Sequence, residues 1–142
     1  MRYFVSDIND YKAVLKVIVE NSDFFSVCYG KRNTDSVAEF CENLKAYCVP
    51  ELKLGKFDLP KYHRGQKIKI YELNDYTKEI IMKTKSFSDW NLINLPEDIC
   101  FFHHRKVWLN FISHEDLLFV DFPNDEIKAW FDKLNVHYRP DY

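Results

Sequence analysis

The chain has 142 residues, 46% of them apolar and 30% charged, which suffices for a core without metal or disulfide staples and excludes a disordered polymer. The net charge of -2 hides an uneven distribution: residues 53–85 carry nine Lys/Arg against four Asp/Glu, and residues 115–142 three against seven. No apolar run approaches the ~18 residues of a membrane span, and "MRYFVSDINDYK" has acids where a signal peptide is apolar, so the expectation is one cytoplasmic domain over residues 1–142 with no membrane partner.

In chain order, the first predicted element is a helix from Asp7 to Asn21, capped by Ser6 or Asp7, with Ile8, Tyr11, Leu15 and Ile18 on one stripe. "DFFSVCYG" reads as a buried strand closed by Gly30. A second helix starts near "TDSVAEF", where Ser36 and Glu39 form a capping-box pattern. It turns Val37, Phe40, Cys41, Leu44 and Cys48 inward and stops at Pro50. The stretch "VPELKLGKFDLPKYHRG" is loop-rich, and "QKIKIYEL" alternates as a strand does. Asn74 caps a third helix with Tyr76, Ile80 and Ile81 inward.

Beyond "SFSDWNLINLPED", which has no clear period, "ICFFHHR", "KVWLNFIS" and "LLFVDF" read as antiparallel strands. They turn at Arg105-Lys106 and at His114-Glu115-Asp116. Asn124 caps a last helix with Ile127, Trp130, Phe131 and Leu134 on its inner face. The predicted order is α-β-α-β-α-β-β-β-α. That is an α+β domain whose mostly antiparallel sheet ends in a three-stranded meander and is packed by about four helices.

Catalytic and metal signatures are missing. Cys28, Cys41, Cys48 and Cys100 form no C-x-x-C pair. Cys41 and Cys48, seven apart on a helix, sit ~10 Å apart at its rise, beyond the ~7 Å reach of a disulfide. With a turn at Arg105-Lys106, His103 faces Trp108 and His104 points to the other side. His114 lies about 20 Å along the strands from Trp108, so these histidines share no metal ion. "HEDLL" has Leu118 where a zincin has its second histidine. The pairs Glu97-Asp98, Glu115-Asp116 and Asp125-Glu126 read as solvated or capping acids; the third sits in the first turn of a helix, where acids favour the dipole. Gly30, Gly55 and Gly65 are too scattered to cradle phosphate. A catalytic reading would need His63 or His104 beside a carboxylate. The expectation is therefore no enzyme, no cofactor and no metal.

Two binding surfaces remain. One face of the meander carries Ile99, Phe101, His103, Trp108, Asn110, Ile112, Leu118, Val120 and Phe122; the other carries Cys100, Phe102, His104, Val107, Leu109, Phe111, Phe119 and Asp121. Both are largely apolar, so the sheet is covered twice, which four helices can do, or keeps a face for a partner. The stretch 53–69 interleaves Lys53, Lys56, Lys61, Arg64, Lys67 and Lys69 with aromatic residues, as single-stranded nucleic acid requires. Yet Lys67 and Lys69 alternate with Ile68 and Ile70 as on a protected edge strand, and the domain is not basic overall. At the C-terminal side, Glu115, Asp116, Asp121, Asp125, Glu126 and Asp132 offer an acidic surface for a basic partner.

The segment "EDICFFHHRKVWLNFISHEDLLFV" resembles a pattern in small bacterial immunity proteins of contact-dependent growth inhibition and related polymorphic toxin systems. In that pattern an acidic, Phe-Phe-bearing strand turns into a Trp-bearing strand and then a His-Glu turn. The resemblance covers about 25 residues of the chain. It implies a cytoplasmic, non-catalytic inhibitor that binds the C-terminal toxin domain encoded beside it, commonly a nuclease. The six acids above are then the partner-binding residues on charge alone, and a nucleic-acid-binding module on 53–69 is the alternative.

Overall fold

Four side chains start the four helices of this computed structural model, which describes residues 1–59 and 66–141. Asp10 accepts from the Ala13 N–H and opens α1 (Tyr11–Glu20). Thr34, rather than Ser36, accepts from the Val37 N–H and opens α2 (Asp35–Asn43). Asn74 forms a reciprocal capping box with Thr77 at α3 (Asp75–Met82). Asn124 accepts from the Ile127 N–H at α4 (Asp125–Lys133). Each satisfies an N–H that the first helical turn leaves open. α2 is shorter than expected. A 3₁₀ turn at Lys45–Tyr47 follows it, and Cys48 is extended and bridges to Tyr71.

The strands are β1 (Tyr3–Asp7), β2 (Phe24–Tyr29), β3 (Lys67–Glu72), β4 (Glu97–His103), β5 (Lys106–Ile112), β6 (Leu117–Val120) and β7 (His137–Pro140). They form one antiparallel sheet in the order β3-β2-β4-β5-β6-β1-β7. This is the α+β architecture with its meander β4-β5-β6. The predicted order lacked β1 and β7, which pair with each other and extend the meander. β7 is four mostly exposed residues ending in Pro140, which an edge strand tolerates. At the other edge lies β3, with Lys67 exposed and Ile68 and Ile70 buried.

Two local features revise the meander. His104 and Arg105 both have left-handed backbones, φ 49° and 67°, so the hairpin turns there, as two-residue loops do. His103 pairs with Lys106 rather than facing Trp108. The register then slips, Phe101 facing Leu109 and Phe102 facing Val107, which leaves Trp108 as the extra residue of a β-bulge. The bulge reverses the expected sides in β5. Leu109 and Phe111 join Ile99, Phe101, Leu118 and Val120 in the core, and Asn110 and Ile112 move to the side of Cys100.

All four α-helices lie on one face. Val14, Leu15, Ile18, Val37, Phe40, Ile81, Ile127 and Phe131 share a core with the inward strand residues. Trp90 is buried against Phe40 at 5.8 Å between ring centres. Polar atoms in this core have partners. Trp108 Nε1 donates to Ser22 Oγ at 2.9 Å, and Ser22 Oγ to the Ile18 carbonyl at 2.7 Å. The Tyr29 and Tyr71 hydroxyls meet at 2.7 Å. Coverage by helices on both faces is thus overturned. So are two inward assignments: Tyr76 is 47% exposed and Trp130 43%. Trp130 instead lies under Lys133 Nζ at 4.8 Å, and its neighbour Phe131 fills the core. No helix among the described residues is long and apolar enough to cross a membrane.

Candidate functional site on the helix-free face

The face opposite the helices is built by one row of paired residues: Ser26, Cys100, Asn110, Phe119, Phe4 and Arg139. Alternation along each strand places them on one side. The β3-β2-β4 half is roofed. Val49, Leu54 and Phe57, around a 3₁₀ segment at Glu51–Lys56, pack on Phe24, Ile70, Cys100 and Phe102. Phe57 meets Phe24 and Phe102 edge-on at 5.0 and 5.6 Å. The β5-β6-β1 half has no such roof among the described residues, and Val107, Asn110, Ile112, Phe119 and Phe4 stay partly exposed.

A cavity of about 460 Å³ opens on this half, with Asn110, Ile112 and Phe119 in its wall and Asp58, Asp98, Glu115 and Asp121 around it. Among the described residues Arg2 is the one cation lining it. Its guanidinium lies over Phe119 at 4.4 Å and pairs with Asp141 at 2.5 Å. Arg139 similarly covers Phe4 at 5.3 Å. Cys100 points its thiol at Asn110 Oδ1, 3.0 Å away, and burial pushes that thiol's pKa well above its ordinary value. The Cys28 thiol is pushed up to about 12 by burial, with Asp98 and Glu97 adding to it. Both thiols are therefore poor nucleophiles. All four cysteines are free.

Of the six acids expected to bind a partner, Glu115 and Asp121 border this cavity, and Asp58 and Asp98 join them there. Asp116 sits in the β5–β6 turn with φ 53°, at the opposite end of β6 from Asp121. Asp125 and Glu126 occupy the first turn of α4, and Asp132 accepts from the Tyr138 hydroxyl at 2.5 Å. The six do not form one cluster. The Met1 ammonium lies 3.5 Å from Asp121.

Asp98 is placed by backbone geometry. Its φ is 55°, at a second irregularity where Ser26 pairs with Cys100 but Cys28 with Glu97. Asp98 and Ser113 exchange hydrogen bonds, each backbone N–H donating to the other's side-chain oxygen at 2.8 Å. Past that bulge Glu97 pairs with Cys28, on the same side of the sheet as Cys100, and is buried there. Only 2% of it is exposed, which corrects its assignment as a solvated acid. It accepts from Gln66 Nε2 and stands 3.2 Å from His114 Nε2. A buried carboxylate needs such partners.

The remaining histidines are dispersed. His103 and His104 do not point apart as expected: their ring centres are 4.2 Å apart. The His103 ring bonds the Asn21 carbonyl at 3.0 Å through Nδ1. The His104 N–H donates to Asp23 at 2.9 Å, and its Nδ1 is 3.9 Å from that carboxylate. His63 lies outside the described residues. Ser113, the hydroxyl next in sequence to His114, donates to the Trp90 carbonyl at 2.6 Å. Among the described residues no three His, Cys, Asp or Glu side chains are grouped to hold a metal ion.

Sequence reasoning missed Asp58, Asp98, Phe4 and Arg2 at this face. The doublet Glu97-Asp98 was visible, but composition carries no signal that one member is buried beside Gln66 and His114 while the other borders a cavity. No protein-family model, curated protein or solved structure matches this chain.

Proposed function

We propose that the protein is a non-catalytic immunity protein, which binds the C-terminal toxin domain of a contact-dependent growth inhibition or related polymorphic toxin system in the cytoplasm. The helix-free face receives a basic surface of that domain, such as a nuclease cleft. One observation carries this reading: partly exposed Ile112, Phe119 and Asn110 line a cavity that has, among the described residues, four carboxylates and one already paired guanidinium around it. An apolar floor inside a charged border is the usual anatomy of a binding surface. Phe119 supplies an anchor, and the carboxylates steer and select a cationic partner. The dispersal of Asp125, Glu126 and Asp132 narrows the expected contact set to Glu115 and Asp121, with Asp58 and Asp98.

The test is growth of cells in which the toxin domain encoded beside this chain is induced, with and without this protein. Rescue is expected, and calorimetry of the pair should show a Glu115→Lys/Asp121→Lys variant binding at least roughly tenfold more weakly at unchanged melting temperature. Toxicity persisting beside well-expressed soluble protein removes the immunity role. Unchanged affinity of the variant removes this face.

A further inference from the structure

A second concave site lies at the other end of the roofed half and shares no lining residue with the acidic cavity. Its volume is about 280 Å³, just below the roughly 300 Å³ at which small-molecule sites begin. Three cations converge on it from distant parts of the chain: Lys53 and Lys56 from the 3₁₀ segment and Arg105 from the β4–β5 turn. Glu72 is its one carboxylate among the described residues. None of the three cations forms an ion pair among the described residues.

Its apolar wall is aromatic. Phe24, Phe57 and Tyr47 line it, and all three are partly exposed. The rings of Phe24 and Phe57 are locked edge-on, and the Arg105 guanidinium stands 5.9 Å from the Phe57 centre. Fixed ring edges and faces beside a guanidinium suit a planar heterocycle, and convergent cations suit a phosphate. Two members of the basic, aromatic stretch turn away from this pocket: Tyr71 is completely buried, and Lys69 reaches the helix side to Cys41 Sγ at 3.2 Å.

We infer that this pocket binds a single nucleotide, with its phosphate on Lys53, Lys56 and Arg105 and its base against Tyr47, Phe24 and Phe57. Glu72 is placed to accept from a sugar hydroxyl or a base amino group. The inference is independent of the helix-free face, and its ligand is either a free mononucleotide or the phosphorylated end of a single strand.

Calorimetric titration of the whole protein with AMP, with inorganic phosphate and with a 5′-phosphorylated oligothymidylate tests it. Saturable AMP binding is expected, tighter than phosphate. It should weaken roughly tenfold or more in Lys53→Gln/Lys56→Gln/Arg105→Asn, asparagine being chosen because it tolerates the left-handed backbone at 105. All three positions are exposed, so the melting temperature should hold. If the triple variant melts lower, Lys56→Gln alone carries the test with a loss of roughly threefold. Competition by the oligonucleotide supports the inference with a strand end as the source; no competition supports it with a free nucleotide. An absent AMP signal, equal affinity for phosphate alone, or unchanged AMP affinity in a folded variant overturns it.

Discussion

On the helix side of the sheet, Phe25, Ile99, Phe101 and Leu109 are closed to solvent, whereas on the opposite side, over β5, β6 and β1, Phe4, Val107, Ile112 and Phe119 remain partly exposed. The residue types are alike, so composition does not distinguish the two sides. What differs is the opposing layer. Four amphipathic helices commit to one face, while the other receives, among the described residues, Val49, Leu54 and Phe57 over half its width. Apolar side chains in the first set hold the fold together. Those in the second contribute less to stability and are available to a partner.

That contrast can be broken most forcefully at Phe101. Phe101→Ala should cost about 3–5 kcal/mol, read as a shift in denaturant midpoint, since its side chain is fully buried. A much smaller loss would mean that the helix layer packs loosely. Alkaline pH probes the same side. Burial pushes Tyr11, bonded to Thr84 at 2.7 Å, from 10.0 up to about 12. Between those values the unfolded chain gives up the proton and the folded one keeps it, so stability present below pH 10 falls as pH rises. Tyr11→Phe should make that fall shallower in denaturation curves taken from pH 9 to pH 12; an identical slope would place the phenol in water.

Across the sheet, Phe119→Ala should cost only about 1 kcal/mol or less, because its ring is already partly hydrated and covered by Arg2. Its effect should show instead as lost affinity for the proposed toxin domain. A stability loss matching that of Phe101 would erase the distinction between the faces. Smallest of all is Trp130→Ala, expected within about 0.5 kcal/mol although its neighbour Phe131 is fully buried. A loss of several kcal/mol there would return Trp130 to the core.

Much of the secondary structure was legible because its causes are local. Asn74 and Asn124 cap the helices that they were expected to cap, and the apolar runs around Phe25, Phe101 and Phe111 are strands. β1 and β7 were not legible. Each is four or five residues without a clean alternation, and they become strands by pairing with partners more than a hundred residues away. Within the candidate site, Glu115 and Asp121 were readable as an acidic signal. Asp98 and buried Glu97 were not, since a single bulge residue decides which way each one points.

The sequence by itself determined the alternation of helical and strand periods, the caps, the absence of a metal-ligand or nucleophile motif, and the two charge-biased stretches. All of these depend on residues within a few positions of one another. Tertiary structure alone decided which side of the sheet the helices took, how the Trp108 bulge reassigned Leu109 and Asn110, and that Arg105 stands with Lys53 and Lys56 beside Phe57. Those outcomes depend on register and layer packing. A slip of one residue sends every following side chain to the opposite face, and only long-range pairing fixes that choice.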